Sequence, residues 1–422
     1  MKFNYKALTL ALTITVFFTA CSIKNPNDFN KKDLGKINQN IDEPTLNQQK
    51  EANNYYKKYF APWSLSKLTS SKTDAMWGHG YKFKKIYLEN HKLASKKWFE
   101  KQIDNSNFEE YNTINKKAIT LINSNVRVLP TKSVMFYNPK KPGEGFPFDY
   151  NQNSLLKMNT PIIVSHFSKD KAWAYIQASI VGGWVSISDI AFVNEEFISK
   201  FKNNNYYVAT KEKFPVYDVI FREYVKIGTI FPKDENGYMI AKPDFNQNAK
   251  LIHVDLTNEV EKMPIAFNKD NRVKIAKEMM NEPYGWGGLL NNRDCSSFTQ
   301  DFFTPFGKYL HRNSKAQIKN GEYLDVSKLN KKEKKEFIKK HGVPFSTLVY
   351  LKGHIMLYIG QNEDEPLVMH NMWSVRLKNK WGKKYRHIVG KATITTLEPG
   401  KHLKDFDENN NILNRVLGIV IL

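Results

Sequence analysis

Cysteine is almost absent from this sequence, which has two cysteines, Cys21 and Cys295, among 422 residues. So few cysteines in a chain of this length exclude a small fold held together by several disulfides. Beyond the N-terminal end, no apolar run is long enough to cross a bilayer. No group of residues resembles a metal-binding motif, so we expect neither a metal ion nor an organic cofactor.

The first twenty residues have the pattern of a secretion signal. Lys2 and Lys6 precede an uncharged apolar stretch over residues 7–18, which is too short to span a bilayer. The stretch ends in Phe18-Thr19-Ala20-Cys21, which resembles a bacterial lipobox, although leucine is more usual where Phe18 stands. We therefore predict that residues 1–20 are a lipoprotein signal peptide and that Cys21 becomes the lipidated first residue. An ordinary cleaved signal is the alternative.

A lipidated Cys21 would place the protein in the cell envelope, anchored to the outer or inner membrane and facing the periplasm. Cys295 would then have no cysteine to pair with, so its free thiol needs another explanation. The formal net charge of +22 is compatible with binding to anionic lipid or wall polymer. The excess is mostly lysine spread along the chain, however, and a biased composition explains it equally well. Nucleic-acid binding is not expected, and we expect a monomer.

The pattern of apolar and turn residues changes several times along the chain. A chain of this length is expected to form roughly two to four domains. Three-to-four spacing of apolar residues, as in Ile114, Ala118 and Leu121, predicts helices. Later, short stretches such as Trp173–Ile176 and Gly182–Val185 alternate with turn residues and resemble a bacterial SH3 domain. The predicted units are a flexible tether (21–50), a small helical domain (51–124), a β-barrel (125–196), a second and more divergent barrel (197–266) and a C-terminal domain (267–422).

Cys295 has the sequence context of a reactive thiol. Asp294 is a good N-cap for a helix whose apolar face carries Phe298 and Phe302. Cys295 then falls in the first helical turn, where unpaired N–H groups and the helix dipole would lower its pKa and could also stabilise an oxyanion. A lone cysteine on an apolar helix is more often a small buried hydrophobe, so the assignment depends on the residues around it.

Two of the ten histidines stand on neighbouring predicted strands. His354 opens the stretch Gly353–Gly360, and His370 lies in the next one. If residues 361–365 form a hairpin loop, His370 lies opposite Met356 and on the same face as His354, whereas a one-residue slip would turn it away. His354 is therefore a candidate base for the thiol, with His370 as its orienting group. A histidine on a strand is otherwise most often structural.

The ordered set of these segments resembles the NlpC/P60 peptidases, which are papain-like α+β enzymes. The matching segments are Tyr284-Gly-Trp-Gly-Gly, Asp294-Cys-Ser-Ser, Arg312-Asn-Ser with Gln317, Gly353-His-Ile-Met-Leu-Tyr-Ile-Gly and His370. Ser297 departs from the glycine that the family commonly has there. With a helical stabilising segment and SH3-type barrels upstream, the resemblance is to the γ-D-glutamyl-L-diamino-acid endopeptidases. It implies an α+β multidomain fold that ends in a papain-like NlpC/P60 domain.

The resemblance also implies residue roles. The implied catalytic residues are Cys295 as nucleophile, His354 as base and His370 as the third polar residue. The implied substrate-binding residues are Tyr284 at the oxyanion site, Asp294 for the peptide amine, and Ser296, Arg312 and Ser314 for the D-glutamyl carboxylate. A solvated loop is the alternative for Arg312 and Ser314. The first SH3-type domain would close the far end of the cleft through Tyr137, Glu144 or Tyr175, among which the sequence does not choose.

The implied reaction is hydrolysis, through a thioester on Cys295, of the bond between γ-D-Glu and a diamino acid such as meso-diaminopimelate in murein peptides. A free N-terminal L-Ala is expected to be preferred, because an SH3-type domain across the cleft would leave no room for a glycan. The alternatives are a non-catalytic murein-binding lipoprotein, an endopeptidase that remodels intact sacculi, and an amidase or acyltransferase on the same frame.

Overall fold

The computed structural model describes residues 47–256 and 258–422. The predicted signal peptide, Cys21 and the predicted tether up to residue 46 lie outside the described residues. Within the described part of the chain, no helix is long and apolar enough to cross a membrane.

The N-terminal segment is helical, and capping side chains decide where its helices begin. The α-helices are α1 (Gln48–Tyr59), α2 (Lys72–Ala75) and α3 (Lys96–Asn105), with 3-10 segments at Ala61–Ser64, Met76–Phe83 and Phe108–Glu110. Asn47, Ser71 and Ser95 each accept a backbone N–H from the first turn of the helix that follows. Such caps satisfy donors that the helix itself leaves unpaired.

The first β domain (residues 116–192) is a seven-stranded antiparallel sheet. Its strands are β1 (Lys116–Thr120), β2 (Ser124–Arg127), β3 (Gln152–Leu156), β4 (Pro161–Phe167), β5 (Trp173–Gln177), β6 (Gly182–Ser186) and β7 (Ile190–Phe192), in the order β3-β2-β6-β5-β4-β1-β7. The helical spacing predicted around Ala118 is wrong, because this segment is β1. Ala118 and Ile119 lie on opposite faces and both are fully buried, so the strand lacks the polar–apolar alternation that identifies a strand in sequence.

The second β domain (residues 195–262) begins with a short helix and contains two small sheets. Its elements are α4 (Glu195–Phe201), β8 (Tyr206–Ala209), β9 (Phe214–Asp218), β10 (Ile220–Val225), β11 (Ile230–Asp234), β12 (Gly237–Pro243), β13 (Ala249–Val254) and β14 (Val260–Lys262). Five strands pair in the order β13-β12-β11-β8-β14, and β9 and β10 form a separate hairpin. These strands lie within the second unit predicted over residues 197–266.

The C-terminal domain (residues 269–421) packs helices against a six-stranded antiparallel sheet. Its elements are α5 (Lys269–Met279), α6 (Cys295–Phe303), α7 (Ser314–Gln317), β15 (Glu322–Asp325), α8 (Lys331–His341), β16 (Thr347–Leu351), β17 (His354–Asn362), β18 (Glu365–Lys378), β19 (Lys384–Thr396), α9 (Ile412–Arg415) and β20 (Val416–Ile421). The sheet order is β15-β20-β16-β17-β18-β19. Phe298 and Phe302 of α6 are fully buried in the core against this sheet, as their spacing predicts.

Helix α1 joins the two β domains. The Tyr56 hydroxyl donates to the carbonyl of Met263 at 3.0 Å, beyond the last strand of the second β domain. One turn later, the Tyr59 hydroxyl donates to the carbonyl of Asn159 in the first β domain at 2.8 Å. The same helix contributes to the large core that contains α6. The parts of the described chain are therefore packed as one body.

A buried network of charges lies behind the start of α6. Arg293 is 1% exposed, and its guanidinium binds Glu212 of the second β domain at 2.7 Å and Asp301 at 2.6 Å. Lys226 also binds Glu212, at 2.8 Å, and Lys157 of the first β domain binds Asp301. Although burial opposes ionisation, the neighbouring cations lower the pKa of Glu212 to about 2. Both β domains are thus tied to the residue that precedes Asp294.

Candidate active site

Cys295 is the first residue of α6, and Asp294 is its N-cap, as predicted. The Asp294 carboxylate accepts the N–H groups of Ser296 at 3.1 Å and Ser297 at 2.8 Å. The Ser297 hydroxyl bonds back to the N–H of Asp294 at 3.0 Å, which completes a capping box. Serine in place of the family's usual glycine therefore has a structural use. Two N–H groups that were expected to face an oxyanion are bound to Asp294 instead.

The thiol of Cys295 is buried, with 8% of the residue exposed. Burial, and then the Asp294 carboxylate beside it, raise the pKa of Cys295 to about 12. The backbone N–H of Ile355 binds the sulfur and opposes this rise. The expected lowering of the pKa is wrong for this arrangement, because the loss of water outweighs the N–H groups of the first turn. At neutral pH Cys295 is therefore a thiol and not a thiolate.

His354 and His370 lie side by side, with His354 Nε2 2.8 Å from His370 Nδ1. The expected loop of residues 361–365 is wrong, because β17 and β18 are joined by two residues and Asn362 pairs with Glu365. A β-bulge between Tyr358 and Gly360 then shifts the register by one residue. Beyond the bulge Leu357 pairs with Met369, and one further step places Met356 opposite His370, as predicted.

Thr395 of β19 continues this chain of hydrogen bonds. No sequence pattern indicates its contact with His370. Its hydroxyl lies 3.1 Å from His370 Nε2 and donates its single proton to the carbonyl of Thr396 at 2.7 Å. The hydroxyl must therefore accept from His370, so His370 carries its proton on Nε2. The unprotonated Nδ1 of His370 accepts from Nε2 of His354. Nδ1 of His354 is left as the basic nitrogen.

Both histidines are neutral at neutral pH. Burial, and then the positive charge of Arg415, lower the pKa of His354 to about 4, while Asp294 opposes the shift. Burial and the neighbouring His354 hold the pKa of His370 well below its ordinary value. Together with the high pKa of the thiol, this makes the resting pair Cys295 and His354 an uncharged thiol and imidazole.

Asp294 and Arg312 form a buried ion pair next to the thiol. Arg312 Nη2 lies 2.8 Å from one Asp294 oxygen, and Nη1 lies 3.1 Å from the other. Nη1 also donates to the Ser296 hydroxyl at 3.0 Å, and Nε donates to the Ser154 hydroxyl of the first β domain at 2.7 Å. Four of the five N–H groups of a guanidinium are therefore used. Although burial opposes it, Arg312 keeps the pKa of Asp294 below its ordinary value.

The remaining residues of the predicted substrate site differ in where they lie. Ser314 begins α7 and is partly exposed, and its side chain has no hydrogen bond with another described residue. The structure therefore does not bring Ser314 to the Asp294–Arg312 pair. Tyr284 does face the site. Burial, and then the charges of Cys295 and Asp294, raise its pKa well above the ordinary value, so its hydroxyl keeps its proton.

Aromatic side chains of both domains line the cleft around Tyr284. Trp373 of β18 lies 6.1 Å from it, and Phe148 of the first β domain lies 6.3 Å from it, between ring centres. The rings of Tyr137 and Tyr150 meet edge to face in the first β domain, with their centres 4.4 Å apart. The contacts of Tyr284 with Trp373 and Phe148 join segments that are distant in sequence, so no local sequence pattern indicates them.

The three residues left open for the far end of the cleft are now separated. Tyr137 contacts Tyr150, whose ring centre lies 5.7 Å from that of Trp286 in the segment before Cys295. Glu144 accepts the backbone N–H of Asn138 at 3.0 Å within its own loop. Tyr175 is 4% exposed in the interior of the first β domain, and its hydroxyl donates to Ala75 at 3.2 Å. A substrate contact by Tyr175 is therefore ruled out in this structure.

Gly287 explains why the segment after Tyr284 is rich in glycine. Its φ is 59°, and an added Cβ would lie 2.5 Å from the carbonyl oxygen of Gln152 in the first β domain. The Gln152 side chain in turn donates to the carbonyl of Gly287 at 3.1 Å. The loop before Cys295 is thus pressed against the first β domain in a conformation that favours glycine.

Comparisons with known proteins agree with this architecture. The description "NlpC/P60 family" matches residues 281–385, "SH3 domain (SH3b1 type)" matches 135–186, and "NLPC_P60 stabilising domain, N term" matches 10–111. A solved NlpC/P60 endopeptidase from Photobacterium damselae subsp. piscicida is similar over 94% of this chain and 96% of its own, with 26% identity and a TM-score of 0.82. This chain is a cysteine peptidase with an NlpC/P60 domain.

The family comprises peptidoglycan hydrolases, so peptidoglycan-derived material is the substrate of this NlpC/P60 peptidase. A second solved structure, an NlpC/P60 family protein from Bacillus cereus ATCC 10987, covers 72% of this chain and 98% of its own at 16% identity and a TM-score of 0.45. A search of curated proteins found no match. Among residues 47–256 and 258–422, no group of three or more His, Cys, Asp or Glu side chains could hold a metal ion.

Proposed function

We propose that this NlpC/P60 peptidase hydrolyses the bond between γ-D-Glu and the diamino acid of murein peptides. The observation that carries the proposal is the buried ion pair of Asp294 and Arg312 beside Cys295, closed off by Ser154 of the first β domain. An L-Ala-γ-D-Glu acyl group carries an ammonium and a carboxylate. A site with both signs of charge next to the nucleophile suits such a group.

The reaction follows from the neutral Cys295–His354 pair. As the sulfur attacks the γ-carbonyl carbon, its proton passes to Nδ1 of His354. The oxyanion is held by the protonated hydroxyl of Tyr284 and the backbone N–H of Cys295 at the start of α6. The C–N bond then breaks, and His354 gives its proton to the departing amine. A water molecule, deprotonated by His354, hydrolyses the thioester and restores the thiol.

We also propose that the substrate has a free N-terminal L-Ala. This preference rests on closure of the acyl side of the cleft, where the loop at Gly287 is pressed against Gln152 of the first β domain. A glycan attached to the L-Ala nitrogen would have to pass through this contact. Asp294 alone does not explain this preference for a free amine, because Arg312 already neutralises its charge when no substrate is bound.

The proposed location is the cell envelope, with lipidated Cys21 as the membrane anchor of a monomer. The lipobox-like segment before Cys21 supports this proposal. One acyl chain alone binds a membrane only marginally, so the two or three chains of a lipoprotein would be needed for a stable anchor.

The test uses the mature protein and two defined peptides, L-Ala-γ-D-Glu-diaminopimelate with a free amine and the same peptide attached to muramic acid. Mass spectrometry should find L-Ala-D-Glu and diaminopimelate as products of the first. The second should react at least about a hundredfold more slowly, the scale of about 3 kcal/mol. Cys295→Ala should give no product, and His354→Ala nearly none.

Three outcomes would contradict the proposal. Release of L-Ala from muramic acid would indicate an amidase on the same frame. Equal rates on intact sacculi and on the free tripeptide would favour an endopeptidase that remodels the wall, with the β domains holding murein. A non-catalytic murein-binding lipoprotein would give no product from any substrate.

A further inference from the structure

Three arginines gather at the end of the sheet where His354 lies; we call them the arginine cluster (Arg376, Arg386 and Arg415). Arg376 of β18 is directly opposite Arg386 of β19. Arg415 ends α9, and its Nη2 donates to the carbonyl of Lys352 at 3.4 Å. Lys352 lies in the turn that leads into β17, two residues before His354.

The positive charge of this cluster is not balanced. Directly opposed like charges destabilise a pair of antiparallel strands. Arg376 has one acidic neighbour, Asp407, with Nε 3.3 Å from the carboxylate. Within the described residues, neither Arg386 nor Arg415 has an acidic side chain at ion-pair distance. Arg386 and Arg415 are both exposed, so their guanidinium groups are open to an anionic ligand.

The cluster adjoins a loop of the first β domain that reaches the aromatic side chains around Tyr284. Arg386 Nη2 lies 3.2 Å from the place where a Cβ of Gly143 would stand, in a loop of the first β domain. Phe146 of the same loop contacts Trp373, with ring centres 5.9 Å apart. Trp373 in turn contacts Tyr284 of the active site, as described above.

One member of the cluster is among the charged groups that shift the pKa of His354. The charge of Arg415 lowers the pKa of His354, and the charge of Asp294 raises it. Burial, and then the charges of Arg376 and Arg415, lower the pKa of Arg386. The charges of Asp294 and of the cluster member Arg415 thus act on His354 in opposite directions.

We infer that the arginine cluster binds a carboxylate of the departing diamino acid. The inference rests on the proposed function, because it concerns the leaving group of that reaction. Guanidinium groups bind carboxylates with two parallel hydrogen bonds. Diaminopimelate carries a carboxylate at its distal centre, whereas lysine carries none. The cluster would therefore select a diaminopimelate-type leaving group over lysine.

The test compares peptides that differ in the leaving group. The first contains γ-D-Glu-meso-diaminopimelate, the second has the distal carboxylate converted to an amide, and the third has L-Lys. The wild type should prefer the first by roughly 10- to 100-fold in kcat/KM, the range of a charge-assisted hydrogen bond. Arg386→Gln and Arg415→Gln should reduce that ratio while cleavage of the lysine peptide changes little.

Lys384→Gln is the matched control, because it removes one charge from an exposed position on the same hairpin. It should leave the ratio unchanged, which separates local recognition from long-range attraction. A fourth peptide, with D-Ala joined to the proximal carboxylate, distinguishes the two carboxylates of the leaving group. If that peptide is cut as slowly as the distal amide, the cluster does not distinguish the distal carboxylate and the inference is overturned.

Binding measured by calorimetry with Cys295→Ala separates this inference from the proposed function. If no peptide is cleaved by the wild type but binding still favours the free distal carboxylate, the proposed function fails and the cluster's role stands. Equal binding and equal cleavage of all the peptides would overturn the inference. Equal losses on all peptides in Arg386→Gln and Arg415→Gln would overturn it as well.

Discussion

The hydroxyl of Thr395 determines which nitrogen of His370 carries a proton, because it lies 3.1 Å from Nε2 and gives its own proton to Thr396. The ring of His354 extends this effect towards Cys295. With Nδ1 of His370 as an acceptor, Nε2 of His354 donates to it and Nδ1 of His354 remains free to take the thiol proton. We therefore propose Thr395 as a positioning residue that acts through two hydrogen bonds on His354, the proposed base.

Thr395→Val should reduce kcat by roughly 10- to 100-fold with little change in KM, because His370 loses the acceptor that fixes its tautomer. Thr395→Ser keeps the hydroxyl and should retain most of the activity. Steady-state kinetics on the free tripeptide measures both. His370→Ala should cost less than His354→Ala, since an orienting group is partly replaceable. Wild-type kcat in Thr395→Val would show that the hydroxyl has no such role.

The high pKa of the Cys295 thiol predicts a particular alkylation profile. In a Cys21→Ser background, Cys295 is the remaining cysteine, so iodoacetamide reports on it alone. The thiolate fraction should rise steadily as pH approaches the pKa of about 12, so the rate should increase from pH 6 to 9 without a plateau. Mass spectrometry of the quenched protein gives the rate. A plateau already reached near pH 7 would instead indicate a thiolate–imidazolium pair at rest.

The low pKa of His354 predicts activity in mildly acidic solution. The base works in its neutral form, and the folded-state pKa of about 4 lies below the ordinary value of 6.5. The acid limb of kcat/KM should therefore fall near pH 4, with activity retained at pH 5.5. Arg415→Gln removes a charge that lowers this pKa, so its limb should move upward. An unchanged limb near pH 6.5 in both proteins would contradict the assignment.

The buried Glu212 should make stability fall in acid. Its folded-state pKa of about 2 is below the ordinary value of 4.5, so the stabilisation is present above about pH 4.5 and is lost as pH falls towards 2. A shift of this size corresponds to about 3 kcal/mol at neutral pH. Glu212→Gln should lower the free energy of unfolding at pH 7 and flatten its acid dependence, measured by urea denaturation. Parallel curves for the two proteins would argue against it.

Lipidation of Cys21 is tested by fractionation. Cys21→Ser should be recovered in the soluble fraction and should still cleave the free tripeptide, because the site is built from residues after position 47. Mass spectrometry of the wild type should find acyl groups on Cys21. Recovery of Cys21→Ser entirely in the membrane fraction would remove the lipoprotein hypothesis.

The sequence predicted those features that depend on neighbouring residues. Asp294 caps α6 because a carboxylate at an N-cap meets the first free N–H groups, whatever the rest of the fold. The alignment of His354 and His370 was also predicted, but through an incorrect loop. The loop is shorter than assumed, and the bulge near Tyr358 restores the register.

Features made by distant segments were not predictable in the same way. Nothing near Ser154 indicates that it would bind Arg312, because the contact depends on how the first β domain packs against α6. The burial that raises the thiol pKa has the same origin. Tyr175 was a candidate for the cleft until its position in the domain interior was known, since sequence does not separate the two faces of a short barrel strand.

The close approach at Gly287 has a consequence for how such chains can be rearranged in evolution. The peptidase domain cannot be exchanged as an independent module, because one wall of its pocket is backbone borrowed from another domain. A recombinant partner would have to offer a bare carbonyl where Gln152 stands and a hydroxyl where Ser154 stands. If the domain were transferred alone, it would keep Cys295 and His354, but its cleft would be open on the side that the first β domain now covers. Loss of the upstream domains would therefore broaden substrate selectivity before it abolished hydrolysis.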